Sequence, residues 1–363
     1  MRAWPRLPAL DERLASGRIG SQRWQAVHMH DPKVAAPVDA RGDVQSSATS
    51  GRWPAALKRL VGSRPIRWGF VLAAVALAGY AIATDWTQIR TALGHLGFLA
   101  VAAALVSGVA ALTLTSQMWR QLLASLGSPL PAGAAARILF IGQLGKYLPG
   151  SIWPVVAQME LGTAHKVPRS RSASASVLVM LLTLIVGLLI ALVTLPFAAG
   201  PMPYRWALLI TPVLLVMLYP KVLNSIVTRL LKLAKQPPLD APLTARALSR
   251  ALTWAVGVWI CYGLQIWILA TRLGAPAGKA ALIALGGFAF AWSVGFLIVF
   301  APAGAGVRDV LLLLMLRSVL STGDAAAVVL VSRVLLTAAD LLTALAATRL
   351  GRRHYASVNT TAD

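Results

Sequence analysis

Acidic residues are scarce in this chain and cysteine is almost missing: 12 Asp and Glu stand against 34 Lys and Arg among 363 residues, with one cysteine, Cys261. A single cysteine excludes an intrachain disulfide and a cysteine-ligated metal cluster. Set within an apolar run, Cys261 reads as a small buried apolar side chain. The shortage of acids leaves no paired-aspartate site for a sugar nucleotide, and no Ser/His/Asp arrangement can be assembled. Histidine is also sparse. His28-x-His30 has metal-like spacing but sits in the polar N-terminal stretch, where a solvated pair is the simpler reading. The segment 142–147 has a superficial likeness to a phosphate-binding loop. It lacks the first glycine at the required spacing, places Tyr147 where Ser or Thr would ligate magnesium, and follows no strand. No secretory signal opens the chain, because the first apolar run begins far too late. Translation from Met29 would shorten the polar start further. With no catalytic motif recognisable, the chain reads as a non-enzyme that calls for no cofactor and no metal.

Long apolar runs dominate what is there. Hydrophobic residues make up 57%, charged residues 13%, and the mean hydropathy is +0.70. Runs that approach or exceed the roughly 20 residues needed to span a hydrocarbon core fall at about 67–84, 95–118, 173–195, 204–220, 250–270 and 325–347. Two more apolar stretches, about 134–161 and 279–320, are interrupted. The runs are continuous rather than alternating, which excludes a transmembrane β-barrel. The fold class is therefore all-α: a polytopic helical membrane protein with about six full spans.

The formal charge of +22 and the pI of about 11.5 invite a nucleic-acid reading. The position of the charge argues against it. Twelve Lys and Arg lie within the first 67 residues, and basic flanks belong on the cytoplasmic side and attract anionic headgroups. If the chain then crosses at the six clean runs and both interrupted stretches leave on the side they entered, the basic segments 166–171, 221–250 and 349–353 all fall inside. Both termini are then cytoplasmic, in the inner (plasma) membrane. Residues 1–60 mix Pro, Gly, Ser, Ala and Arg without periodicity and read as a disordered basic cytoplasmic tail. A transmembrane domain follows over 61–350, and 351–363 form a short tail.

The interrupted stretches repeat one device. Gly145-Lys146-Tyr147-Leu148-Pro149-Gly150 and Ala301-Pro302-Ala303-Gly304-Ala305-Gly306-Val307-Arg308-Asp309 each break an apolar run with Pro and Gly beside a charge. Leu126-Gly127-Ser128-Pro129 closes the run before the first, and Leu273-Gly274-Ala275-Pro276 closes the run before the second. The spacing from Pro149 to Ser172 equals that from Pro302 to Ala325, where the next runs open. The parity of crossings makes the two halves, about 61–200 and 201–350, an inverted repeat with two re-entrant broken-helix hairpins. Residues 279–300 are the open point, since they are long enough to cross outright. Broken apolar segments at corresponding positions of two halves point to a transporter's substrate site.

Polar groups at membrane depth are costly and mark cavities or partners. The first break holds Gln143, Lys146, Tyr147, Gln158 and Glu160; the second holds Arg308 and Asp309. The last run carries Arg333, Thr337 and Asp340 along one helix face. Asp340 needs a cation, either Arg333 or one from a hairpin, and the expectation is a switchable Arg333–Asp340 pair. Pro149 and Pro302 end half-helices, while Gly150, Gly304 and Gly306 let the backbone turn. The next half-helix starts with unpaired N–H groups and a positive dipole end, which together with Lys146 or Arg308 suit a phosphate. For Glu160 interfacial solvation is the simpler reading. For Trp119, Trp153, Trp206 and Trp292 it is packing or interface anchoring.

The segment Gly142-Gln143-Leu144-Gly145-Lys146-Tyr147-Leu148-Pro149-Gly150 with Trp153-Pro154, and the segment Pro302-Ala303-Gly304-Ala305-Gly306-Val307-Arg308-Asp309, resemble the transmembrane domain of the lysylphosphatidylglycerol synthase/flippase family. The family's second motif usually reads Pro-x-Gly-x-Gly-x-Arg-Glu, so Asp309 is a conservative departure. The similarity covers about residues 60–350. It implies lipid translocation or lipid binding. The soluble domain that transfers an aminoacyl group in longer members is expected to be absent, because the sequence ends soon after Leu350.

The resulting expectation is a protein that flips or scrambles a phospholipid or a polyprenyl-phosphate-linked lipid. Lys146 and Arg308 meet the phosphate, Tyr147 and Gln143 orient it, and Asp309, Arg333 and Asp340 complete the site. The partners are membrane lipids with anionic headgroups and no nucleic acid, with a homo-oligomer or an envelope-assembly enzyme left open. The alternatives are a non-transporting lipid-binding subunit of a glycolipid or envelope assembly system and a membrane lipid transferase.

Overall fold

A computed structural model describes residues 94–147, 152–199, 210–233, 242–297 and 306–359, with the side chains of 199 and 350–359 left aside. The apolar run 67–84 and the residues Pro149, Gly150, Pro302 and Gly304 lie outside the described residues. So does the N-terminal tail. Every element among the described residues is helical. In chain order they are α1 (Phe98–Ser125), α2 (Ala132–Gln143), a 3₁₀ turn (Leu144–Tyr147), α3 (Trp153–Thr163), α4 (Arg169–Ala199), α5 (Thr211–Met217), α6 (Pro220–Leu233), α7 (Ala245–Arg272), α8 (Ala277–Leu297), α9 (Val307–Leu316) and α10 (Thr322–Asn359).

Five of these helices, α1, α4, α7, α8 and α10, are long and apolar enough to cross a membrane. The first, second, third and fifth coincide with apolar runs in the sequence. The 204–220 run is different: its described end is α5, which meets α6 at a 74° bend. α6 has a buried stripe of Leu223, Val227 and Leu231 opposite Lys221, Arg229 and Lys232. That is the pattern of a helix lying along a surface. The amide of Asn224 then locks the chain end before α7, donating to the Leu243 carbonyl at 3.1 Å and accepting from its N–H at 2.9 Å. Thr244 caps α7 by accepting from the N–H of Ala247.

α1 and α7 end in the same local geometry. α1 and α7 both have 28 residues. Each ends at a glycine with left-handed backbone, Gly127 (φ 85°) and Gly274 (φ 92°). Each closes through the same bond one residue later, from Ser128 N–H to Leu123 and from Ala275 N–H to Ala270. A proline, Pro131 or Pro276, then opens the next helix. α1 and α7 pack on one another, with Gly108 of α1 beside Gln265 and Gly257 of α7 beside Leu114. Small residues at a helix interface let polar groups reach across. Here Ser107 Oγ donates to the Cys261 carbonyl at 2.7 Å, and Trp254 Nε1 donates to Gln121 Oε1 at 2.7 Å.

The two broken stretches differ in their arms. In the first, α2 and α3 have 12 and 11 residues, about 18 and 16 Å of helix against a hydrocarbon core of about 30 Å. They pack against each other as a hairpin. In the second, α8 has 21 residues and is long enough to cross by itself, whereas α9 has 10. A π-turn at Ile283–Gly287 interrupts α8. The packing of the arms is reciprocal: α4 lies on α3 and on the π-turn and end of α8, while α10 lies on α9 and on α2 and its 3₁₀ turn.

Candidate functional site

The first break delivers its cation to the last helix. After α2 the chain tightens into the 3₁₀ turn, with Gly145 buried so closely that a Cβ there would stand 2.8 Å from the nitrogen of Pro154. That close approach turns Lys146 and Tyr147 toward α10. Lys146 Nζ lies 2.6 Å from Asp340 Oδ2, and the Tyr147 hydroxyl donates to the same oxygen at 2.6 Å. Asp340 is 2% exposed and Lys146 31%. A carboxylate so far from water is held in charged form only by a partner, and it has one in the ammonium and one in the phenol. The Lys146 ammonium also stands 5.6 Å from the Tyr147 ring centroid, within the range of a cation–π contact. Gln143 stands half-buried one turn earlier, at the end of α2.

The expected Arg333–Asp340 pair is not formed. Seven residues along a helix separate them by about 10 Å, and the hairpin cation fills the nearer position. Arg333 turns instead to the second break. There Asp309 accepts from Arg308 Nε at 3.2 Å and Nη2 at 3.0 Å, and from Arg333 Nη1 at 3.4 Å. The N–H of Gly306 points to the same carboxylate at 3.4 Å, so Asp309 also reaches back to the start of its own helix. Gly306 has φ 89°, a backbone that side chains with a Cβ rarely adopt. Arg308 packs against Gly295 of α8, where a Cβ would approach the Arg308 Cβ to 3.1 Å.

Arg308 and Thr337, whose hydroxyl donates to the Arg333 carbonyl at 2.9 Å, lie near the Tyr147 hydroxyl. Tyr262 of α7, which no sequence signal singled out, lies within electrostatic range of both Asp340 and Arg308. It belongs to an aromatic group with Trp259, Phe288 and Trp292. The two breaks thus meet around α10. Three cations, Lys146, Arg308 and Arg333, are gathered with two carboxylates.

Other polar positions are structural. Gln158 accepts from Ser176, whose hydroxyl also accepts from the buried Trp119 indole. Glu160 forms a two-point ion pair with Arg169 at 2.9 Å, tying α3 to the start of α4. Trp292 stacks on Phe296.

Every residue of both clusters lies within the range matched by the family model for the lysylphosphatidylglycerol synthase TM region, residues 66–344. The chain belongs to that family. The match begins at the edge of the 67–84 run and ends four residues beyond Asp340, so it covers both breaks and the part of α10 that carries Arg333 and Asp340. The lysylphosphatidylglycerol synthase TM region is a multi-pass membrane unit, which agrees with the apolar helices, and the name ties it to membrane lipid. Comparison with curated proteins returns no match.

Proposed function

We propose that this protein translocates a phospholipid or polyprenyl-phosphate-linked lipid across the inner membrane, with Lys146 and Arg308 receiving the lipid phosphate. The observation that carries the reading is the pairing of each break's cation with a carboxylate in an apolar setting. A carboxylate bound to an ammonium or guanidinium occupies the place that a phosphate oxygen would take. Asp340 therefore stands in for substrate at Lys146, and Asp309 does so at Arg308 and Arg333. Tyr147 and Gln143 flank the first position and would orient the headgroup. A phosphate crossing the midplane must exchange water for fixed positive groups, because a bare charge there is very costly.

The matched caps of α1 and α7 and the reciprocal packing of α4 and α10 support the inverted-repeat reading, with the two breaks opening to opposite leaflets. In that layout both termini face the cytoplasm. The test is reconstitution of purified protein into vesicles containing a fluorescent anionic phospholipid, with chemical quenching of the outer leaflet. Protein vesicles should expose the inner-leaflet pool faster than empty ones. Equal rates would leave a lipid-binding subunit, and a chemically altered lipid would indicate a transferase.

A further inference from the structure

α6 divides its circumference into three sectors. At about 3.6 residues per turn, Lys221, Ser225, Arg229 and Lys232 fall on one face, and all four are exposed. Ile226, Leu230 and Leu233 fall on the next sector, where Leu230 is 39% and Leu233 82% exposed. Leu223, Val227 and Leu231 close the circle as the buried stripe, and the helix packs on α4. An exposed apolar edge therefore lies between the basic row and the protein.

The charge of this region has one sign. Neither the described stretch 210–233 nor α7 contains an Asp or Glu. Two more exposed arginines, Arg246 and Arg250, stand in the first two turns of α7, which the Asn224 amide joins to α6 through Leu243. Among the described residues none of these five cations forms an ion pair. Like charges along one helix face repel, and bound anions relieve them. The apolar edge says which anions. A small anion in water would leave Leu230 and Leu233 wet. A lipid surface instead takes the leucines into its acyl boundary and sets the bordering cations among its headgroups. With the exposed Val213, Leu215 and Val216 of α5 in hydrocarbon, the 74° bend carries α6 out along that surface. We propose that α6 and the start of α7 form a binding surface for anionic phospholipid headgroups, separate from the positions of Lys146 and Arg308. The Arg229 guanidinium offers a two-point contact to a phosphate, and Lys221 and Lys232 add point charges. A zwitterionic headgroup carries its own cation, so the surface selects phosphatidylglycerol over phosphatidylcholine.

This goes beyond the lipid-moving reading and does not depend on it. The test uses full-length Cys261→Ala/Leu233→Cys protein with a fluorophore on the new thiol. It is placed in mixed vesicles of phosphatidylcholine and phosphatidylglycerol, with brominated acyl chains on one lipid or the other. Bromine quenches only on contact, so the two preparations report which lipid stands at α6. Phosphatidylglycerol should be enriched there at least about fivefold, the attraction of a single basic side chain to an anionic surface. Lys221→Gln/Arg229→Gln/Lys232→Gln should bring the ratio near one with the melting temperature unchanged, and salt at about 1 M should shrink it. A ratio near one before substitution, or one that the triple variant leaves in place, overturns the proposal and leaves the basic row to solvent or to an acidic protein segment. Absence of quenching by either lipid overturns it too, by placing the helix away from the bilayer. No lipid need cross the bilayer for this readout, so its failure and the failure of the lipid-moving reading are separately visible.

Discussion

Asp340 concentrates the energetics of this molecule in one side chain, because its carboxylate is buried and its cation comes from elsewhere in the chain. Lys146→Met should therefore destabilise the protein by about 2–3 kcal/mol, at the low end of the range for breaking a buried pair because Lys146 is partly exposed. Lys146→Met/Asp340→Asn should lose much less than the sum of the two single variants. Thermal unfolding in detergent measures all three, and additive losses would show that the pair contributes nothing. The identity of these residues was legible in the sequence, since Lys146, Arg308, Arg333 and Asp340 stand out as charges among apolar neighbours. Their pairing was only half legible. The sequence left Arg333 and a hairpin cation both open for Asp340, and the choice is made by where the 3₁₀ turn sits against α10.

The elements show why the breaks must be glycine-rich. At Gly145 the two arms of the first hairpin come so close that a Cβ would press on the backbone of Trp153 and Pro154. Gly145→Ala should cost about 1–3 kcal/mol by overpacking. It should also slow lipid movement, because the displaced turn carries Lys146 and Tyr147. Gly133→Ala and Gly278→Ala, where a Cβ meets nothing within 4 Å, should leave melting temperature and transport unchanged. Comparable losses at all three would mean that the close approach at Gly145 is not what matters. Helix runs were legible wherever about 20 apolar residues follow one another, as in α1, α4, α7 and α10. The change from the apolar 204–220 run to the basic stretch at Lys221 was legible, but the 74° bend between α5 and α6 was not. For α8 the sequence showed a stretch, 279–300, long enough to cross but left its role open, because its continuity through the π-turn depends on packing. Gly286 has no room for a Cβ beside Thr194 of α4, and Gly287 faces Met315 of α9.

At the scale of the whole molecule, each break places a cation near the last helix, Lys146 at Asp340 and Arg308 at the Asp309 carboxylate that Arg333 shares. If the halves are inverted, the loops that close them face opposite sides. In a Cys261→Ala background, a cysteine at His165 should be labelled from the cytoplasmic side and one at Ala277 from the outside. Labelling of 165 from outside, or of 277 only from the cytoplasm, would refute that layout. The central claim is that the two cations carry a lipid phosphate, and the most direct measurement is the rate of fluorescent phosphatidylglycerol movement in vesicles for four proteins. Wild type should be fastest, with Lys146→Ala and Arg308→Ala each slowed at least about tenfold, the loss of one charge-assisted hydrogen bond. Lys146→Arg should fall between them and wild type. Folded alanine variants that both move lipid as fast as an active wild type would contradict the phosphate site outright.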